Sequence, residues 1–257
     1  SAVTRLPPRL LRGAGVTIVI RSGAATLSAM RARRLCLVLA CLAACSAGPE
    51  EASVKPGINE NFLDPDLDVD AMVQRFETES REVFAKRSAI ARAVGLGPGM
   101  AVADVGAGTG IFVDFFARDV TAKGRVYAVE IAPKFVAALR ERAAARRMPQ
   151  VEAVLCTERD VGLPPGSVDV VFTCDTYHHF EYPRSTLASI RESLRPGGAF
   201  VVVDFERIPG VSRQWLLDHV RCGKEQVIRE ITEAGFELVE EVPLGFEENY
   251  FLRFRRV

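Results

Sequence analysis

Three groups of residues in this sequence have the types and spacing to do chemistry. The first is Asp104-Val105-Gly106-Ala107-Gly108-Thr109-Gly110, an acid followed by glycine at every second position. Glycines at that density let backbone come close to a ligand. The second is Glu130, which closes the apolar run VYAVE 20 residues beyond Gly110. The third is Cys174-Asp175-Thr176-Tyr177-His178-His179-Phe180, with two of the chain's three histidines; the other is His219. Histidine suits a base near neutral pH.

The glycine loop discriminates among ligands. A triphosphate loop needs GxxxxGK[ST], and no lysine follows these glycines. A dinucleotide fingerprint needs GxGxxG, whereas Gly110 comes one residue early and Ile111 follows it. A carboxylate at Asp104 would repel a pyrophosphate and attract an ammonium. The loop therefore suits a small amphoteric ligand. Glu130 alone does not discriminate, because dinucleotide sites carry an acid at about the same separation.

These residues need a scaffold of alternating strands and helices. Asp68 or Asp70 can cap a helix running to about Val94, supported by the i,i+4 pairs Glu77–Arg81 and Glu82–Lys86. Strands are expected at Met100 to Val105, Arg125 to Glu130, Val151 to Leu155, Val168 to Cys174 and Ala199 to Asp204. Helices are expected at Ile111 to Arg118, Pro133 to Arg147, Arg184 to Leu194 and within Trp215 to Ala234, with a turn at Pro196-Gly197-Gly198. Phe236 to Val242 and Tyr250 to Arg256 read as closing strands. The pattern predicts an α/β fold: a doubly wound, mostly parallel seven-stranded sheet with helices on both faces and an antiparallel last strand. In such sheets ligands bind beyond the carboxyl ends of the strands, where the glycine loop lies.

Taken together, these motifs resemble the class I S-adenosylmethionine-dependent methyltransferases. The resemblance covers about Phe62 to Val257. DVGAGTG matches the family's first motif, an acid followed by GxGxG, and Glu130 its second, an acid that accepts both ribose hydroxyls. The third motif, near the adenine, falls on Cys156-Thr157-Glu158-Arg159-Asp160; Glu158 is preferred and Asp160 is the alternative. The resemblance implies S-adenosyl-L-methionine as cofactor, held by Asp104, Gly106, Ala107, Gly108, Thr109, Gly110, Glu130, Ile131, Glu158, Asp160 and Cys174. It places CDTYHHF against the sulfonium and the methyl acceptor, so that His178 or His179 would orient or deprotonate the acceptor, with Tyr177 and Asp175 as further candidates. Asp204 follows the fifth expected strand and could also face the pocket. A metal held by His178, His179 and Asp204 is conceivable, but the spacing does not demand one and none is expected. Cys156 and Cys174 read as buried filler rather than nucleophiles. Phe62 could pack over the cofactor.

The resulting expectation is methyl transfer to a small-molecule acceptor. The alternatives are a dinucleotide-dependent oxidoreductase and a non-catalytic S-adenosylmethionine-binding protein. With 33 basic and 33 acidic residues the formal charge is zero, so nothing points to nucleic acid as partner. The chain's six cysteines lack paired zinc-knuckle spacing.

The 257 residues divide into a leader (1–29), a signal-like segment (30–45), a linker (46–61) and a methyltransferase-like domain (62–257). MRARRLCLVLACLAAC has a basic start and an apolar run whose ten residues, Leu35 to Ala44, would span only about 15 Å as helix, too short to cross a bilayer core of about 30 Å. It fits a secretory signal. LAAC resembles the bacterial lipobox, which would lipidate Cys45 and leave an exported, membrane-anchored lipoprotein. A cytoplasmic protein is the alternative.

Overall fold

The computed structural model describes residues 50–79 and 81–257. The leader, the signal-like segment with Cys45, and the side chains of the Glu77–Arg81 pair lie outside the described residues. One compact unit runs from Glu51 to Val257. Its elements are α1 (Glu60–Leu63), α2 (Val69–Glu79), α3 (Arg81–Val94), β1 (Ala101–Val105), α4 (Val113–Val120), β2 (Arg125–Glu130), α5 (Pro133–Ala145), β3 (Val151–Leu155), β4 (Val168–Cys174), a 3₁₀ turn at Tyr177–His179, α6 (Pro183–Ser193), β5 (Leu194–Phe205), α7 (Gln214–His219), α8 (Lys224–Glu233), β6 (Phe236–Glu241) and β7 (Asn249–Arg256).

The seven strands form one sheet in the order β3-β2-β1-β4-β5-β7-β6. β1 pairs in parallel with β2 and β4, β2 with β3, and β4 with β5. Only β7 runs against its neighbours, as expected for the last strand. Strand order reverses between β1 and β4, which places the ligand crevice at the carboxyl ends of β1, β2 and β4.

Central strands buried on both faces must be apolar throughout. All five residues of β1, AVADV, are buried, which makes Asp104 the anomaly in that strand. The period of two sends alternate side chains to opposite faces. Ala101, Ala103, Phe200 and Val202 join Leu187, Ile190, Val227 and Ile231 in one core cluster, so α6 and α8 cover that face. Val102, Val201 and Val203 join Val83, Ile90, Phe116 and Val120 in another, so α3 and α4 cover the opposite face.

Asp68 caps α2 through the N–H of Ala71 at 3.0 Å, as the sequence suggests. The Glu82–Lys86 pair is diverted. Glu82 accepts the backbone N–H groups of Glu247 and Glu248, while Lys86 donates to the carbonyls of Leu244 and Gly245. Both residues thus pin the loop before β7. Pro196-Gly197-Gly198 is absorbed into β5 as an irregularity, the pairing passing from Val168↔Leu194 to Val170↔Ala199. The stretch from Trp215 to Ala234 holds two helices, α7 and α8, rather than one. Residues of the expected linker lie on the domain: Val54 donates its N–H to the Glu181 carbonyl at 3.0 Å, and the Glu51 carboxylate accepts the N–H groups of Arg184 and Ser185 at 2.8 Å each.

Candidate active site

The glycine loop leaves β1 with three left-handed residues in five. φ is +77° at Gly106, +51° at Gly108 and +82° at Gly110, a region that side chains disfavour. Space forbids a side chain as well. A Cβ on Gly106 would lie 2.2 Å from Thr176 Cγ2, and one on Gly110 2.9 Å from Leu139 Cδ2. The density of glycines is thus explained in part by internal packing. A Cβ on Gly108 would press on the cleft wall instead, with Phe76 Cε2 3.3 Å away. The N–H groups of Gly106 and Ala107 are both tied to the Val129 carbonyl, which fixes the loop on the end of β2.

Glu130 completes that attachment. Its Oε2 accepts the N–H of Gly108 at 2.8 Å, and its Oε1 accepts those of Ile131 at 2.7 Å and Ala132 at 3.0 Å. Burial pushes its carboxyl upward, against the pull of these donors. A carboxylate offers about four acceptor positions, so Glu130 keeps roughly one, on Oε2. Asp104 differs. It is buried, and its Oδ2 has no hydrogen-bond partner. Burial, and next the charge of Glu130, push its carboxyl up to about 8.

Asp104, Gly106, Ala107, Gly108, Thr109, Glu130, Ile131, Glu158 and Cys174 all line one cleft. Gly110 and Asp160 do not. Gly110 turns its α-carbon toward Leu139. Asp160 is exposed and closes a turn, accepting the N–H of Gly162 at 2.8 Å and the Ser189 hydroxyl at 2.7 Å. Those bonds hold its carboxyl below the usual range. Burial pushes the Cys156 thiol up to about 12 and the Cys174 thiol well above its ordinary value, so neither is a thiolate at neutral pH.

CDTYHHF divides its residues between cleft and core. Asp175 has φ +49°, accepts from the Asn249 amide at 3.2 Å and lines the cleft. The 3₁₀ turn that follows points successive side chains in different directions. Tyr177 is fully buried in the core, where its hydroxyl donates to Glu230 Oε2 at 2.8 Å. Unlike its neighbours in the motif, it does not line the cleft. His178 and His179 both line the cleft. The Asp204 carboxylate accepts from His178 Nδ1 at 2.7 Å, from the His178 N–H at 3.1 Å and from the Phe205 N–H at 2.7 Å. A carboxylate that already takes two N–H donors makes Nδ1 the protonated ring nitrogen and leaves Nε2 with the lone pair.

Other cleft residues carry no signal in sequence spacing. His219, at the end of α7, brings its ring within 5.0 Å of both His178 and His179 and stacks on Trp215 at 4.9 Å. Burial, followed by its histidine neighbours, holds His179 well below its ordinary value. Burial, then His178 and the cations Lys55 and Arg75, lower His219 to about 4. Phe62 of α1 meets His179 edge-on at 5.2 Å, and Asn59 donates its amide to Glu158 Oε1 at 3.4 Å and the His179 carbonyl at 3.2 Å. Of these residues, Phe62 is the one that the sequence marks as packing over the ligand.

A buried acid, a left-handed glycine loop and a second acid on the neighbouring strand line one cleft of a doubly wound α/β fold. Comparison with known proteins agrees with that class. Residues 103–202 match the family model described as a methyltransferase domain. The chain is 31% identical over 161 residues, 57% of its length and 46% of the relative's, to an uncharacterised 37.1 kDa protein in a transposon of Streptomyces fradiae. It is 27% identical over 111 residues, 43% of its length and 45% of the relative's, to the ubiquinone/menaquinone biosynthesis C-methyltransferase UbiE of Burkholderia cenocepacia. The chain thus spans less than half the length of these curated relatives. Among solved structures it resembles a SAM-dependent methyltransferase from Aquifex aeolicus, with a TM-score of 0.65 and 22% identity, over 74% of this chain and 99% of that one. The fold is the methyltransferase α/β fold.

Proposed function

We propose that this protein transfers a methyl group from S-adenosylmethionine to a small-molecule acceptor. The observation that carries the reading is the buried, unpartnered Oδ2 of Asp104 in the cleft, between the glycine loop and Glu130. A buried polar atom without a partner is costly, and an ammonium donor from a ligand would satisfy it. The remaining acceptor position of Glu130 suits a hydroxyl. S-adenosylmethionine, when bound, supplies an electrophilic methyl on a sulfonium. This chain's residues supply position: the loop and Asp104 hold the ligand, and aromatic side chains such as Phe62 and Phe76 wall the cleft around it. His178, oriented by Asp204, turns a single lone pair toward the acceptor side.

The test is a calorimetric titration with S-adenosylhomocysteine and, in parallel, NAD, followed by turnover on an acceptor panel with methyl-labelled cofactor. Binding of S-adenosylhomocysteine with labelled product supports the reading. Binding of NAD alone would replace it with the oxidoreductase, and binding without any product would leave a non-catalytic binder. Export and lipidation at Cys45 rest on the basic-apolar-cysteine run alone. Mass spectrometry of the native N-terminus tests them, and an unlipidated Cys45 in the soluble fraction would dismiss them. Among the described residues no helix is long and apolar enough to cross a membrane.

A further inference from the structure

The geometry points to a three-histidine metal site formed by His178, His179 and His219, open on its fourth side to the cleft. One ring nitrogen from each residue lies within 4.8 Å of the others. Tetrahedral coordination at about 2.0–2.1 Å needs nitrogens roughly 3.4 Å apart. The rings of His179 and His219, only half-buried, can close that gap by turning about their side-chain torsions.

Two further observations favour an ion over a mere stack of rings. His179 Nδ1 is buried and makes no close hydrogen bond, although the ring also lies near the Ile58 backbone, and a buried nitrogen left unfilled is costly. His178 Nδ1 is engaged by Asp204 at 2.7 Å, the carboxylate–histidine pairing that orients metal-binding imidazoles and makes them better donors. The Asp204 charge also offsets the cations Lys55 and Arg75, whose fields reach His219. Three imidazole nitrogens suit a divalent first-row ion, with Zn²⁺ the best match for a tetrahedral site. All three histidines line the same cleft as the glycine loop. The open position therefore accepts water or a heteroatom of whatever small molecule occupies the cleft. A bound ion takes the one free lone pair of His178, so metal binding and a free-imidazole role for His178 in methyl transfer are alternatives.

The test uses the full chain, stripped of metal by chelation and titrated with Zn²⁺ alone. Uptake of about one equivalent is expected, and cobalt substitution should give tetrahedral ligand-field bands without a thiolate-to-cobalt band. His219→Ala should abolish stoichiometric uptake, and Asp204→Asn should weaken it roughly 10–100-fold. His219→Gln, which keeps the volume beside Trp215, serves as a second variant, with cooperative thermal unfolding as the check on folding. Failure to take up zinc, uptake indifferent to both His219 variants, or a thiolate band assigning the metal to cysteine would each overturn the site. S-adenosylhomocysteine titrated into the same preparations reports separately on the cofactor reading.

Discussion

Asp104 and Asp204 are both buried acids at the carboxyl ends of parallel strands, 3% and 1% exposed, yet they are satisfied in opposite ways. Asp204 is paired on both oxygens from within, by His178 Nδ1 and by two backbone N–H groups. Asp104 leaves Oδ2 without a partner. A buried acid whose donors all come from the chain is a positioning device. One that lacks a donor implies that the donor arrives with a ligand. Asp104 lines the cleft beside the glycine loop, where the proposed cofactor would sit, and Asp204 lies behind His178, which it positions.

Breaking the unsatisfied acid should have the largest effect. Asp104→Asn should weaken S-adenosylhomocysteine binding by about 100-fold or more, since it removes one partner of a buried charge pair. The same change should raise the thermal midpoint of the free protein, because a desolvated carboxyl is gone. The pH dependence follows in sign. The folded state binds the Asp104 proton more tightly, at about 8 against 3.8. Its contribution to stability is intact below pH 3.8 and is lost as pH rises toward 8. Binding runs the other way. An ammonium needs the ionised form, so affinity should fall by about tenfold per pH unit as pH drops below 8, and the Asn variant should show no such slope. Equal affinity in wild type and variant would remove Asp104 from the cofactor side.

The satisfied acid should respond differently. Asp204→Asn should cut methyl transfer roughly 100-fold by freeing the His178 tautomer, while S-adenosylhomocysteine affinity changes by less than about twofold. The fold should lose about 1–3 kcal/mol as a buried network opens. If cofactor affinity and turnover fell together, the two acids would not be separable.

The cofactor side was also the more legible in the sequence. The strands Arg125–Glu130, Val151–Leu155 and Val168–Cys174 have the bounds expected from their apolar runs, and the spacing of Gly106, Gly108 and Gly110 marks a loop whose conformation only glycine adopts freely. Local signals suffice there because the residues are close in the chain. The histidine side is assembled from distant segments. Asn59 meets His179 across 120 residues, and His219 arrives from a six-residue helix too short to show a period. Nor could spacing divide Tyr177 from His178, since only the 3₁₀ turn sends one to the core and the next to the cleft.

Gly106 tests how far the loop serves packing rather than ligand approach. Gly106→Ala meets both the +77° φ and the Thr176 side chain, 2.2 Å from the new Cβ. A loss of about 1–3 kcal/mol in chemical denaturation is expected. Adding Thr176→Ala should restore part of it, with a coupling of about 0.5 kcal/mol or more. Simple additivity would mean that φ alone sets the cost.

The smallest effect should come from Tyr177, which sits beside the histidines in sequence and apart from them in space. Its hydroxyl donates to Glu230. Burial would raise the Glu230 carboxyl, but the hydrogen bonds and charge of Arg221 outweigh it and hold the group below its usual range. Because Arg221 grips Glu230 through two hydrogen bonds, at 3.0 and 2.8 Å, removing the phenol donor leaves the carboxylate paired. Tyr177→Phe should therefore cost only about 1 kcal/mol in stability, with S-adenosylhomocysteine affinity and turnover both unchanged. A catalytic phenol would instead show a drop in turnover larger than the change in stability, together with a shifted pH profile. That outcome would give Tyr177 a part in the chemistry and blur the boundary between the internally paired framework around Asp204 and the core behind it.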